Sequence, residues 1–340
     1  MRRRDLVIAI AAVVVAIVAT AAVSRGMDDS SAASRSSADS HANAGIALQQ
    51  AFVSVNRRVS PSVVLIRTNE GLGSGVVFDR KGNIVTNAHV VGTSKTFSVT
   101  TAEGKILKGS LVGVFVQDDV AVINVPGNEL RPASFGNSDS LLVGDIAMAI
   151  GNPLGLQSSF TEGVVSALGR DEPEGNGVVL RNSIQTSAAI NPGNSGGALA
   201  NIRGQVIGIP TLAAADPQIG GAAAGIGFAI PGNDVRDYAS QIIAHGRVID
   251  THRAYLGITI GQASAGVYVS AVTPAGPAAR AGIKPGDVII AVDGKETLTI
   301  DALGTALASK KPGQTVTLSI LGQDGSKRSV QVTLGQFPGG

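Results

Sequence analysis

A chain of 340 residues, 44% of them apolar, with a formal net charge of +2 and no cysteine, is long enough for about two domains of ~100–200 residues each. The weak charge, with no basic stripe interleaved with aromatics, excludes a nucleic-acid partner, and the absence of cysteine leaves nothing that depends on redox compartment. Forty-four glycines and only 3% aromatics, with no Trp, point to short strands and tight turns more than to long helices.

Residues 2–4 are Arg-Arg-Arg, and Leu6 to Val23 is an uncharged stretch whose one polar residue is Thr20. Its length is at the short end for a membrane span and long for a cleaved signal core. The reading is a retained single-pass anchor through residues 6–23, with secretion after cleavage near Ala19-Thr20-Ala21 as the alternative. The arginines stay in the cytoplasm and the rest of the chain is sent outward. Residues 1–23 thus form the Arg cluster and anchor, and residues 24–45, polar and rich in Ser and Ala, a flexible tether that spans roughly 25 Å.

Residues 46–246 are expected to form one β-rich domain. Short runs at Val63–Arg67, Gly75–Phe78, Asn83–Thr86, Thr96–Thr100, Val120–Val125, Asp145–Ile150, Gly163–Leu168, Gly197–Leu199, Val206–Ile209 and Gly227–Ile230 are separated by Gly, Asn, Asp and Pro, which argues for a sandwich or barrel. A helix is predicted from Asn233, its expected cap, to His245, with Val235, Tyr238, Ile242 and Ile243 at helical spacing and Gly246 ending it. Residues 247–253 read as a hinge. A second unit, 254–337, is expected to carry strands near Gly266–Val272, Asp287–Val292, Thr315–Leu321 and Ser329–Leu334 and short helices near Pro277–Ala281 and Ile300–Ser309.

The run Asn191-Pro192-Gly193-Asn194-Ser195-Gly196-Gly197 places a serine among glycines, which let a loop aim its N–H groups at an oxyanion while presenting a hydroxyl. Such a serine needs a histidine base and the base an orienting acid. Of the four histidines, His41 lies in the tether, and His245 and His252 flank the hinge. Only His89, after the strand Asn83–Thr86, sits between β elements. Asp119, against the strand that starts at Val120, is the expected acid, with Asp118 as fallback. Gly193-x-Ser195-x-Gly197 also fits a nucleophile elbow, but no helix follows Ser195 and the base would have to be His245 or His252. Gly71-Leu72-Gly73-Ser74-Gly75 lacks phosphate-loop spacing and reads as a strand entry.

With these residues in place, the chain resembles the HtrA/Deg family of trypsin-like serine proteases with a C-terminal PDZ domain. The resemblance runs through Gly73-Ser74-Gly75-Val76-Val77, Thr86-Asn87-Ala88-His89-Val90, Asp119-Val120-Ala121-Val122, Ile150-Gly151-Asn152-Pro153, Gly163-Val164-Val165-Ser166-Ala167, Ile184-Gln185-Thr186, the Ser195 run and Gly225-Ile226-Gly227-Phe228-Ala229-Ile230-Pro231. It covers roughly residues 46–337.

The resemblance implies an all-β double-barrel, chymotrypsin-like protease domain with the site between the barrels, followed by a small α+β PDZ domain. It makes His89 general base and then acid, Asp119 its orienter, Ser195 the nucleophile, and the N–H groups of Gly193 and Ser195 the oxyanion hole. No metal, ATP or other cofactor is implied. One departure is Ser187, where the family usually carries Asp after Gln-Thr. With no acidic residue just before the nucleophile loop, Ile190 and the run around Gly227 and Phe228 would line an S1 pocket for small aliphatic side chains. Tyr255-Leu256-Gly257-Ile258 resembles a PDZ carboxylate-binding loop, and a peptide C-terminus would add as a strand beside Ile258–Ile260, facing Leu303 and Leu307. The short turn Thr68–Leu72 favours a homotrimer over larger cages. The expected function is an envelope endopeptidase acting on misfolded or signalling proteins; the alternative is a catalytically inert chaperone or scaffold with a PDZ domain.

Overall fold

The computed structural model describes residues 43–339 apart from 70, 128–129, 153–158, 176–177, 192 and 217–220. The expected membrane segment Leu6–Val23 lies outside the described residues, as does the tether up to residue 42. No helix among the described residues is long and apolar enough to cross a membrane.

Residues 43–59 are helical (α1), where the sequence reading placed the end of the tether and the start of the β region. Ala, Leu and Gln in this stretch are good helix formers. The helix stops at a 3-10 turn, Ser60–Ser62, that contains Pro61, which cannot continue an α-helical ladder.

Two closed six-stranded antiparallel barrels follow. The first takes the order β1-β2-β3-β6-β5-β4 from Val63–Arg67 (β1), Leu72–Val77 (β2), Asn83–Thr86 (β3), Thr96–Thr100 (β4), Ile106–Phe115 (β5) and Val120–Asn124 (β6). Val64, Ile66, Val77, Ile84, Val99, Ala121 and Ile123 fill it. A Cβ on Gly75 would press on Ile66 and Ile84 at 2.7 Å, so this strand position accepts only glycine without repacking. The second barrel takes the order β10-β11-β12-β9-β8-β7 from Ile146–Gly151 (β7), Ser159–Gly175 (β8), Val178–Thr186 (β9), Ala198–Asn201 (β10), Val206–Asp216 (β11) and Gly221–Pro231 (β12). Its core holds Leu141, Ala149, Val165, Ile184, Leu199, Ile207 and Ala229.

β5 was not legible as a strand, because Lys108, Gly109, Ser110 and Gly113 dilute its apolar pattern; it forms because β4 and β6 pair with its two edges. After the one-turn helix Ala88–Val91 (α2), the next helix is Gly232–His245 (α3), and Gly246 closes it in the left-handed region at φ 73°. Asn233 is not its cap. Pro231 occupies that position, and Asn233, the second residue of the helix, donates from Nδ2 to Asn137 Oδ1 and accepts from Arg236. Within 247–253, Val248 and Thr251 are fully buried.

The C-terminal unit is a sheet in the order β14-β15-β16-β18-β19, formed by Ile258–Ala263 (β14), Gly266–Val272 (β15), Val288–Val292 (β16), Thr315–Leu321 (β18) and Lys327–Thr333 (β19). Lys295–Glu296 (β17) pairs with β16, and Ala254–Tyr255 (β13) with Gly335–Gln336 (β20). Helices Pro277–Arg280 (α4) and Ile300–Ala308 (α5) accompany it, and Thr299 caps α5 by accepting from Ala302 N–H. Among the described residues, β14 pairs with β15 and has no strand on its other side.

Candidate active site

Neighbouring strands of the first barrel deliver His89 and Asp119. β3 and β6 pair with Thr86 opposite Ala121, so the helix after β3 and the turn before β6 leave from adjacent strand ends. Asp119 takes a left-handed backbone, φ 52°, a conformation that Asp tolerates better than most residues. Its carbonyl oxygen accepts from Ala88 N–H and from Asn87 Nδ2, both at 3.1 Å. Its carboxylate accepts from His89 N–H (Oδ1, 2.9 Å), from His89 Nδ1 (Oδ2, 2.9 Å) and from the Thr211 hydroxyl. A carboxylate only accepts, so Nδ1 carries the ring proton and Nε2 is left as the basic nitrogen. The His89 side chain is 48% exposed and Asp119 6%, which places the acid inside and the base at the surface.

The second barrel delivers Ser195 on the loop before β10. Two turns and one bond to β11 shape it: Asn194 N–H donates to Asn191 O and Gly197 N–H to Asn194 O, both at 2.9 Å, and Gly196 N–H donates to Pro210 O on β11 at 3.0 Å. Gly196 sits at φ 79°, and a Cβ there would collide with Ser74 O and Thr86 Oγ1. Ser195 Oγ donates to the Thr211 carbonyl oxygen at 3.1 Å. Among the described residues, no backbone bond is donated by the Gly193 or Ser195 N–H groups.

His89, Asp119 and Ser195 are thus tied into one constellation through Thr211, a residue the sequence reading did not single out. Its signal was a polar side chain in the middle of the otherwise apolar run 206–215. Asp118 pairs with arginines instead. It is buried against Arg253 and, at 3.8 Å, Arg181. Burial raises its carboxyl above the ordinary value, with both arginines opposing. The His252 ring faces Asp250 and Asp237, and His245 lies in the last turn of α3.

Of the expected S1 residues, Ile190 and Phe228 are buried. The Ile190 side chain occupies the space over Gly227, where a Cβ would strike its Cγ1. Ser187 N–H donates to Val164 O (3.1 Å) while its hydroxyl accepts from Val164 N–H (3.0 Å), so a neutral side chain holds this flank to β8.

In the C-terminal unit, Tyr255, Leu256, Gly257, Ile258, Leu303 and Leu307 all line one cavity of about 280 Å³. Leu256 and Leu303 also belong to the buried core. Gln117, Arg181 and Arg253 also line the cavity. The Arg253 guanidinium donates to Gln117 O, Asp118 Oδ1 and Val179 O.

Comparison with known proteins follows the same division. A trypsin-like peptidase domain is matched over residues 73–209 and a PDZ domain over 254–334. The chain is 40% identical to the periplasmic pH-dependent serine endoprotease DegQ of Escherichia coli over 78% of this chain and 59% of that protein. It is 39% identical to the serine protease PepD of Mycobacterium tuberculosis over 83% and 65%. It therefore spans about six-tenths of the length of these curated relatives. Among solved structures, an HtrA-type protease AlgW with tripeptide superposes at TM-score 0.59 with 34% identity, covering 84% of this chain and 97% of that one. The serine endoprotease from Yersinia pestis superposes at 0.58 with 36% identity, covering 84% and 98%.

Proposed function

Because this chain belongs to the HtrA/Deg family of trypsin-like serine proteases with a PDZ domain, we propose that it is a serine endopeptidase acting outside the cytoplasm. The observation that carries the reading is the three-way acceptance at Asp119, from His89 N–H, His89 Nδ1 and Thr211.

His89 Nε2 takes the Ser195 proton as Oγ attacks the scissile carbonyl carbon. The imidazolium is held by Asp119, and the oxyanion is met by the N–H groups of Gly193 and Ser195. His89 then gives its proton to the leaving amine, and water, activated by the same nitrogen, releases the acyl group and restores Ser195. For the first step the Ser195 hydroxyl turns from Thr211 O toward His89. The Ile190 side chain, packed over Gly227, is proposed to restrict P1 to small aliphatic side chains.

The groove between β14 and α5 is proposed to bind peptide C-termini by strand addition, supported by the one-sided pairing of β14 and the apolar lining Ile258, Ile260, Leu303 and Leu307. We place the protease outside the cytoplasm, in line with periplasmic relatives, held by Leu6–Val23 and working as a homotrimer. The test is cleavage of casein by protein lacking residues 1–45, with and without a PDZ peptide. The expected result is degradation that Ser195→Ala abolishes. Equal cleavage by both proteins rejects the assignment. Absence of fluorophosphonate labelling under both conditions favours the inert chaperone or scaffold.

A further inference from the structure

The geometry points to the Ser74 hydroxyl as a positioning group for the nucleophile loop, a role that rests on Ser195 being the nucleophile. Ser74 lies on β2 of the first barrel and is fully buried. Its hydroxyl donates to the Gly193 carbonyl oxygen at 2.5 Å and accepts from Asn152 N–H at 2.7 Å. Its own N–H donates to Ser195 O at 2.9 Å, and its carbonyl accepts from Thr86 Oγ1 at 2.7 Å. One side chain from the first barrel therefore holds both the nucleophile loop and the loop after β7 of the second.

The consequence lies in the peptide unit between residues 193 and 194. Its oxygen is held by Ser74 Oγ, and its N–H donates to Asn191 O. A peptide fixed at both ends cannot rotate. The following unit is fixed by Gly197 N–H on Asn194 O, which turns the Ser195 N–H the opposite way. The two N–H groups expected to meet the oxyanion flank this clamped unit. Gly193 itself, at φ 104°, has no side chain to resist rotation. The Ser74 hydroxyl supplies the rigidity that glycine lacks, and donors fixed before the reaction need no reorganisation during it.

The hydroxyl can be removed without touching the backbone bond to Ser195 O. Ser74→Ala against the native chain, and Ser74→Val against Ser74→Thr, are two pairs that each differ chiefly in the hydroxyl; the second serves if the alanine variant does not fold. Each protein is assayed for kcat and KM on a fluorogenic peptide with a small aliphatic P1 residue. A matching peptide boronate, whose tetrahedral adduct presents an oxygen to the same N–H groups, and thermal unfolding complete the set. The expected result is a fall in kcat of about tenfold or more with KM within about twofold, and an equal loss of boronate affinity, in the member lacking the hydroxyl. Equal kcat within the pair, or lost kcat with unchanged boronate affinity, overturns the proposal. A native chain that does not cleave the peptide at all instead removes the protease reading beneath it.

Discussion

Thr211 serves Asp119 and Ser195 from its two ends: its hydroxyl donates to Asp119 Oδ2, and its carbonyl oxygen accepts from Ser195 Oγ at 3.1 Å. It lies on β11 of the second barrel, whereas Asp119 comes from the first, so the acid is oriented across the gap between barrels. A hydrogen bond to a charged group contributes about 1.5–3 kcal/mol. Thr211→Val is expected to lower kcat by about 10–100-fold with little change in KM. Steady-state kinetics on a small peptide check this, and an unchanged kcat contradicts it.

Asp119→Asn tests the tautomer argument. An amide in place of the carboxylate can donate to His89 Nδ1, which would put the ring proton on Nε2 and leave no base facing Ser195. The expected loss is about 10⁴-fold in kcat. The fold should persist, since the Asp119 carbonyl still accepts from Ala88 and Asn87.

The Ile190 side chain over Gly227 should set P1 preference. Ile190→Ala removes the side chain that fills that space and is expected to raise kcat/KM for P1 Leu or Phe relative to Val by about tenfold. Stability should fall by about 2 kcal/mol or more from the lost core packing. Profiling with a P1-varied peptide library reads the first effect and urea unfolding the second. An unaltered P1 profile would remove Ile190 from the pocket.

Asp118 makes a pH prediction. Burial raises its carboxyl above the ordinary 3.8, against the opposing arginines. A raised carboxyl holds its proton more tightly when folded, so its contribution to stability is fully present below about 3.8 and is lost as pH rises through the folded value. Relative to Asp118→Asn, the native chain should therefore lose stability as pH is raised from about 3 to about 6. Urea unfolding across that range decides, and a constant difference contradicts the burial argument. Asp118→Ala at neutral pH should cost about 3–5 kcal/mol, because Arg253 is then left buried without its counter-charge.

Leu307→Glu probes the proposed groove. Leu307 lines the cavity and is only partly buried, so the charge should weaken peptide binding by about tenfold or more while the unit stays folded. Isothermal titration with a C-terminal peptide measures it, and the same peptide with an amidated terminus should bind weakly to the native chain.

The sequence by itself determined which residue types could do chemistry and in what order they occur. A serine among glycines, a histidine after a strand and an aspartate before one carry local signatures, since turns, strand ends and left-handed positions each favour particular residues. The short strands and the Gly246 helix end were legible for the same reason. What no local signature carried was decided by tertiary structure. β5 exists because ladders close on both its edges, and Pro231 rather than Asn233 takes the cap position of α3 because β12 runs up to that residue. Thr211 reaches Asp119, and Ser74 reaches Gly193, only because two closed barrels bring residues 92 and 119 positions apart into hydrogen-bond range. Hydrogen bonds across a barrel interface depend on distance in space, and a pattern read along the chain records only distance in sequence.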